Sequence, residues 1–145
     1  MLDTNVVLDL FVFEDPAAAG LRLALDAGAC DWIATDAMRD ELEHVIRYPN
    51  LARRADAEAV LARFDGGARI VGVPLPANIQ CTDADDQKFI DLALAHRAVL
   101  LSKDKAVLKL RRRLAKSGVQ LDGVSYPKNA LDACAVSIGN SSGMK

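Results

Sequence analysis

The 145-residue chain contains few cysteines, histidines and aromatic residues. Cys30, Cys81 and Cys134 are odd in number and lack paired spacing, so neither a zinc knuckle nor a disulfide framework is indicated and we expect reduced thiols. Aromatic residues form 5% of the chain and do not interleave with the basic residues, so base stacking is not indicated. Apolar runs are too short to cross a bilayer, and no charged and apolar leader opens the chain. These absences predict a cytoplasmic protein without a membrane span.

The composition is that of an ordinary globular protein. Hydrophobic residues form 51% of the chain and charged residues 26%, and the length suits one core. We therefore expect a single domain over residues 1–136 and a polar, flexible tail over residues 137–145. The formal charge of -2 neither favours nor opposes nucleic-acid binding, because such binding depends on where basic residues cluster.

Short apolar runs alternate with segments of helical periodicity along the whole chain. Strands separated by helices imply right-handed crossovers and a parallel sheet covered on both faces. We therefore predict an α/β fold, a three-layer α/β/α sandwich with a central parallel sheet of about five strands. The predicted strands lie at 1–2, 32–34, 70–73, 98–102 and 119–124, and the predicted helices at 17–28, 35–49, 51–64, 86–94, 105–117 and 128–136.

Four acidic residues occupy positions where this fold could aim them at one place: Asp3, Glu41, Asp86 and Asp104. Asp3 and Asp104 follow predicted strands, where ligands of open α/β sheets gather. Each acid also has an ordinary explanation, because aspartate is a favoured helix cap and glutamate is common on solvated helix faces. The joint pattern of strand end, helix face, helix start and strand end favours a shared metal site.

The acids around Asp86 are unusually dense. Asp83, Asp85 and Asp86 crowd one predicted helix start, where the helix dipole favours negative charge. Three carboxylates in four residues nevertheless repel one another more than capping requires, and a bound cation would relieve that cost. Asp86 is therefore a stronger candidate ligand than Asp3 when each residue is considered by itself.

In order and spacing, the four acids resemble those of the PIN-domain nucleases, in particular the short bacterial PIN proteins assigned to toxin-antitoxin pairs. The third segment, from Cys81 through Asp86 to Phe89, is the most specific local match, and Ser102 and Asp104 match the family's last hydroxyl and acid. The sequence departs from the family pattern at Lys103, where a glycine is usual, and at Ala106, where a further aspartate is often present. The matching segments lie at 2–7, 41–49, 81–94 and 99–105.

The resemblance implies a metal-dependent ribonuclease in which the four acids hold one or two Mg²⁺ or Mn²⁺ ions that activate water for attack on RNA. Hard cations of this kind prefer carboxylate oxygens, so no histidine or cysteine ligand is required. Asn5 and Ser102 are predicted to orient the carboxylates by hydrogen bonds, although turn and strand-end roles explain them equally well. The resemblance further implies an antitoxin protein that masks the site and a PIN-PIN homodimer.

A run of basic residues follows Asp104, which is the only acid between positions 103 and 116. This run is either a solvated helix face or a surface that steers RNA phosphates toward the metal site. Its candidate RNA-contacting members are Lys105, Lys109, Arg111, Arg112 and Arg113.

Other functional classes fit the sequence less well. A haloacid-dehalogenase-type phosphatase also begins with an aspartate at a strand end, but it needs an acid where Asn5 stands, and an amide cannot transfer a proton. A phosphate-accepting signalling domain would need an acidic pair beside Asp3. The non-enzymatic alternative is a catalytically weak PIN-like module that binds RNA or protein, and the departures at Lys103 and Ala106 keep it open.

Overall fold

The computed structural model describes residues 1–122, which include every predicted site residue. The helix predicted at 128–136, the domain end at residue 136 and the tail at 137–145 lie outside the described residues. The described helices are α1 (Thr4–Phe11), α2 (Ala19–Asp26), α3 (Asp36–Ile46), α4 (Pro49–Ala52), α5 (Ala57–Gly67), α6 (Gln87–His96), α7 (Lys105–Leu108) and α8 (Arg111–Lys116). The strands are β1 (Trp32–Ala34), β2 (Ala68–Ile70), β3 (Leu100–Leu101) and β4 (Leu121–Asp122).

The strands pair in parallel, as the α/β prediction requires. Trp32 of β1 is in register with Ala68 of β2, and Leu100 of β3 is in register with Leu121 of β4. A single parallel bridge joins Leu2 to Leu101, so the opening residues lie along the other edge of β3. Residues 1–122 thus form two separate two-stranded sheets plus one bridge, and the predicted continuous sheet of about five strands is not present among them.

Apolar faces of the helices pack over these strands. Phe89, Leu10 and Leu42 are nearly or fully inaccessible to solvent and come from α6, α1 and α3. The ring of Trp32 meets the ring of Phe64 edge to face, with centroids 4.9 Å apart. This core holds three of the four helices that carry or adjoin the predicted acids, α1, α3 and α6.

Two of the predicted helices are each divided into two shorter helices. The helix predicted at 51–64 is divided because Asp56 accepts a hydrogen bond from the Glu58 backbone and caps a new helix, α5, instead of continuing α4. The helix predicted at 105–117 is divided because the Leu110 N–H bonds to the Val107 carbonyl at 2.9 Å, which tightens the chain into a turn between α7 and α8. The strand predicted at 70–73 begins earlier, at Ala68.

The expectation of reduced thiols is correct for one described cysteine and wrong for the other. Cys81 is a free thiol, whereas Cys30 is disulfide-bonded. The third cysteine, Cys134, lies outside the described residues.

Candidate metal centre

The opening residues place Asp3 against the end of β3. The Leu101 N–H donates to the Met1 carbonyl at 3.0 Å, and the Asp3 N–H donates to the Leu101 carbonyl at 2.9 Å. The chain then turns directly into α1, with Asp3 in an extended conformation as the N-terminal cap. Asp3 therefore caps a helix and also lies at the end of a strand-like segment, so both of its predicted roles are present.

The Asp3 carboxylate is buried and held in place. Its Oδ2 accepts a 2.6 Å hydrogen bond from Ser102 Oγ, and its Oδ1 accepts a longer bond of 3.5 Å from the Asn5 N–H. Burial raises the pKa of Asp3 above its ordinary value, the Ser102 hydrogen bond opposes that rise, and the charges of Asp104 and Glu41 add to it. Asp3 is therefore close enough to the other acids for their charges to affect its proton.

Three carboxylates converge beside it. Asp83 caps a short 3-10 turn, Ala84–Asp86, that leads into α6, and Asp104 caps α7 through a 2.8 Å bond from the Ala106 N–H. One carboxylate oxygen each from Asp83, Asp86 and Asp104 lies within 4.8 Å of the others. Two helix starts, close to residues 86 and 104, thus present their acids to one point.

Asp86 is the least compensated member of this triad. It is 9% exposed, and its Oδ2 is buried without a hydrogen-bond partner among residues 1–122. Desolvation, followed by the charges of Asp3 and Asp104, raises the pKa of Asp86 to about 7. An acid with an unpartnered buried oxygen and two charged neighbours gains stabilisation from a cation or a proton.

The chemistry of the triad fits a small divalent cation. Mg²⁺ and Mn²⁺ prefer carboxylate oxygens, and oxygens bound to one Mg²⁺ ion lie up to about 4.2 Å apart. One carboxylate oxygen from each member of the triad lies within 4.8 Å of the others, and Asp86 Oδ2 has no hydrogen-bond partner among residues 1–122. Asp83, Asp86 and Asp104 could therefore share one ion.

Glu41 is placed differently from the triad. It projects from α3, where Thr4 Oγ1 donates to its Oε2 and Lys88 Nζ lies 2.7 Å from its Oε1. Lys88 also donates to the Asp85 carbonyl at the start of α6. The ammonium group of Lys88 thus supplies Glu41 with a counter-charge within the protein itself.

The structure brings the four predicted acids into one region, in two groups. Asp86 and Asp104 share the triad with Asp83, while Asp3 and Glu41 flank it and are engaged by protein partners. The two predicted orienting residues also differ. Ser102 acts through its buried hydroxyl, whereas Asn5 is exposed and contacts Asp3 through its backbone N–H.

Sequence reasoning missed two residues of this region. Asp83 belongs to the dense acidic run, but helix capping alone accounts for an aspartate at this position, so nothing in the sequence favours it as a ligand. Lys88 is the first basic residue after this acidic run and lies in the first turn of α6. Its pairing with Glu41 depends on how α3 and α6 pack, and the linear sequence does not contain that information.

The predicted RNA-steering residues lie on the surface. Lys105, Lys109, Arg112 and Arg113 are exposed, on and beside α7 and α8. Arg111 is exposed as well, but its Nε donates a 3.0 Å hydrogen bond to the Leu121 carbonyl and so links α8 to β4. The other four side chains form no hydrogen bond or ion pair with residues 1–122, so no contact within this range gives them a structural role.

A sequence model of the PIN domain matches residues 1–106. The chain belongs to the PIN-domain family. The match includes Asp3, Glu41, Asp86 and Asp104 and ends just after the loop that caps α7. No curated protein and no solved structure gives a significant match.

PIN domains are generally nucleases, and this PIN domain carries an acidic cluster of the kind that binds a divalent metal. Among residues 1–122, no helix is both long and apolar enough to cross a membrane. Family membership favours nuclease chemistry over the haloacid-dehalogenase-type phosphatase considered from the sequence.

Proposed function

We propose that this PIN domain is a metal-dependent endoribonuclease, a hydrolase that cuts RNA phosphodiester bonds with Mg²⁺ or Mn²⁺. The observation that carries the proposal is the cluster of Asp83, Asp86 and Asp104, in which Asp86 also has a buried Oδ2 without a hydrogen-bond partner among residues 1–122. Such an arrangement is costly without a positive charge, and this cost supports a metal-binding role.

Asp83, Asp86 and Asp104 would hold the ion directly, and Asp3 and Glu41 would complete the negative surface around it. When bound, the metal lowers the pKa of water and neutralises charge that develops on the phosphate. The protein's own part is positioning. Ser102 fixes the orientation of Asp3, and Lys88 fixes that of Glu41, so both flanking carboxylates would already be ordered when an ion binds.

The exposed basic residues of α7 and α8 extend the proposal to the substrate. Lys105 and Lys109 adjoin the Asp104 loop, and Arg112 and Arg113 continue the basic surface along α8. A cationic surface beside an acidic metal site would attract the RNA backbone while the metal offsets the repulsion between phosphate and carboxylates. These contacts would be to phosphates, so they would contribute affinity and no sequence preference.

We further propose that the chain is the cytoplasmic toxin component of a toxin-antitoxin pair. In this role an antitoxin protein would cover the acidic site, and a homodimer would be the functional unit. Support comes from the family and from the resemblance to short bacterial PIN proteins. We also propose that the domain extends to residue 136.

A cleavage assay tests the central proposal. The full chain is incubated with single-stranded RNA in EDTA, in Mg²⁺ and in Mn²⁺, and the products are resolved on a denaturing gel. Cleavage is expected with either metal and not with EDTA. Asp86→Asn is expected to reduce the rate at least about 100-fold, whereas the exposed neighbour Asp85→Asn should stay within about twofold of the unmutated chain.

Equal rates for the unmutated chain and Asp86→Asn would contradict the assignment of this site. An unmutated chain that binds RNA tightly but cuts none of it under all metal conditions would favour the alternative, a PIN-like binding module. Asp3→Asn and Glu41→Gln, measured in the same assay, separate the flanking acids from the triad.

A further inference from the structure

A second link between α1 and the site loop lies beside the candidate metal centre. Lys103 Nζ is 2.7 Å from Asp9 Oδ2, and Asp9 is located on α1. The Asp9 side chain is only 4% exposed, whereas that of Lys103 is 41% exposed. The lysine of the site loop therefore extends to α1, where its ammonium group lies against a buried carboxylate.

The compensation of Asp9 depends on this lysine. Its Oδ2 accepts no hydrogen bond of normal geometry from any residue within 1–122, so its stabilisation by Lys103 is mainly Coulombic. Removing the partner of a buried charge is costly, which gives the loop a strong reason to keep Lys103 directed at α1. This is a stronger constraint than an exposed surface pair would supply.

Lys103 is flanked on both sides by residues of the site. Ser102 donates to Asp3 Oδ2 at 2.6 Å, and the Asp104 N–H donates to Ser102 Oγ at 3.1 Å. The three consecutive loop residues are therefore fixed to α1 twice, once at its N-terminal cap and once along its length. The second attachment restricts rotation of the loop about the first.

We propose that the Asp9–Lys103 ion pair is a positioning device that fixes the loop at residues 102–104, so that Asp104 faces Asp83 and Asp86. Lys103 and Asp9 are positioning residues, since Lys103 Nζ lies against Asp9 and neither belongs to the acidic triad. The pair acts on metal affinity through Asp104, and in that respect it rests on the proposed function. Its action on the loop itself does not require a metal.

Metal binding tests the first part. Isothermal titration calorimetry with Mn²⁺ compares the full chain with Lys103→Met and Lys103→Arg. Lys103→Met is expected to weaken Mn²⁺ binding about 10-fold or more, as replacing a residue that supports a metal ligand commonly does, and Lys103→Arg is expected to restore most of it. The control is Arg69→Met, which removes an exposed ion pair of 2.6 Å with Asp31, far from the loop in sequence, and should leave Mn²⁺ affinity unchanged.

Amide hydrogen exchange without metal tests the second part. The Asp104 amide, which donates to Ser102 Oγ, should exchange at least about 10-fold faster in Lys103→Met and in Asp9→Asn than in the unmutated chain. Mutating both residues should add little to either single change, because each removes the same interaction. An Asp104 amide that exchanges at the unmutated rate in both variants overturns the proposal.

The two readouts separate the possible failures. If the unmutated chain binds no Mn²⁺, the proposed function fails, and exchange at Asp104 still decides whether the pair positions the loop. If the unmutated chain binds Mn²⁺ and Lys103→Met binds it equally well while only its thermal midpoint falls, the pair is a stabilising contact alone and the positioning role is overturned.

Discussion

Ser102 Oγ donates a 2.6 Å hydrogen bond to Oδ2 of Asp3, a residue 99 positions earlier in the chain. Both side chains are buried, Ser102 completely and Asp3 to within 3%. The bond connects the loop after β3 to the cap of α1 and lowers the pKa of a carboxyl group that burial would otherwise raise further. The serine therefore affects both the position and the charge of Asp3.

Replacing Ser102 with alanine should weaken the site without unfolding the protein. The variant leaves a buried carboxylate short of one donor, which costs about 1–3 kcal/mol of folding free energy. It also raises the pKa of Asp3, so protons compete with metal up to a higher pH. Mn²⁺ titrations between pH 5 and pH 8 should show the midpoint for binding shifted upward in Ser102→Ala. Ser117→Ala, at an exposed position, is the control and should show no shift.

Removing the charge of Asp86 should stabilise the metal-free protein. Its folded-state pKa of about 7 lies above the ordinary 3.8, so its favourable contribution to folding is fully present below pH 3.8 and is lost as the pH rises to about 7. In EDTA, Asp86→Asn should therefore unfold at a higher temperature than the unmutated chain. The gain should be about 2 kcal/mol larger at pH 8 than at pH 5.

Saturating Mn²⁺ should reverse this order. The metal stabilises a folded chain that binds it by mass action, and Asp86→Asn would lose most of that stabilisation. Asp85→Asn is the matched control, because Asp85 is exposed and adjacent. An Asp86→Asn variant less stable than the unmutated chain at pH 8 in EDTA would contradict the assigned cost of this carboxylate.

Glu41 and Lys88 should prove energetically coupled. Their side chains are 28% and 25% exposed, so water screens the pair only in part. A double-mutant cycle of Glu41→Gln and Lys88→Met, followed by chemical denaturation, should give a coupling of about 1 kcal/mol that shrinks at high salt. The more exposed pair of Arg69 with Asp31 should give a smaller value in the same experiment. No coupling between Glu41 and Lys88 would mean that Lys88 does not hold the glutamate.

The arginines of α8 should separate by role. Arg112 and Arg113 are exposed, whereas Arg111 bonds to the Leu121 carbonyl. Replacing Arg112 and Arg113 with glutamine in an inactive Asp86→Asn background should lower RNA affinity and reduce the salt dependence of binding by about one unit of slope for each phosphate that is no longer neutralised. Arg111→Gln should instead lower the unfolding midpoint. A salt slope unaffected by the double change would assign Arg112 and Arg113 to the solvated surface.

The sequence predicted the α/β class and the positions of β1, α3 and α6, because β1 is a short apolar run and the two helices repeat apolar residues at helical spacing. It also predicted that acids far apart in the chain would meet at the ends of parallel strands. Asp3 and Asp104 meet in that way, since both follow residues that pair through β3. These features depend on local patterns and on a general rule of sheet topology.

The remaining features depend on packing that no local pattern encodes. The third member of the triad is Asp83 and not Asp3. Asp83 caps the 3-10 turn before α6, and that turn is not evident from the sequence. The partners of Glu41 and Asp9 are lysines that ordinary helix and loop chemistry leave unassigned. The divided sheet reflects strands of two or three residues, whose pairing ends before a continuous ladder forms.

The bridge between Leu2 and Leu101 has a consequence for the timing of folding. During synthesis, Asp3 is made about a hundred residues before the strand that holds it and the serine that binds it. Closing so long a loop requires most of the chain to be present. A nascent chain that has not yet reached Asp104 therefore lacks the site, and any activity of this protein begins only after nearly all of the described domain has been synthesised.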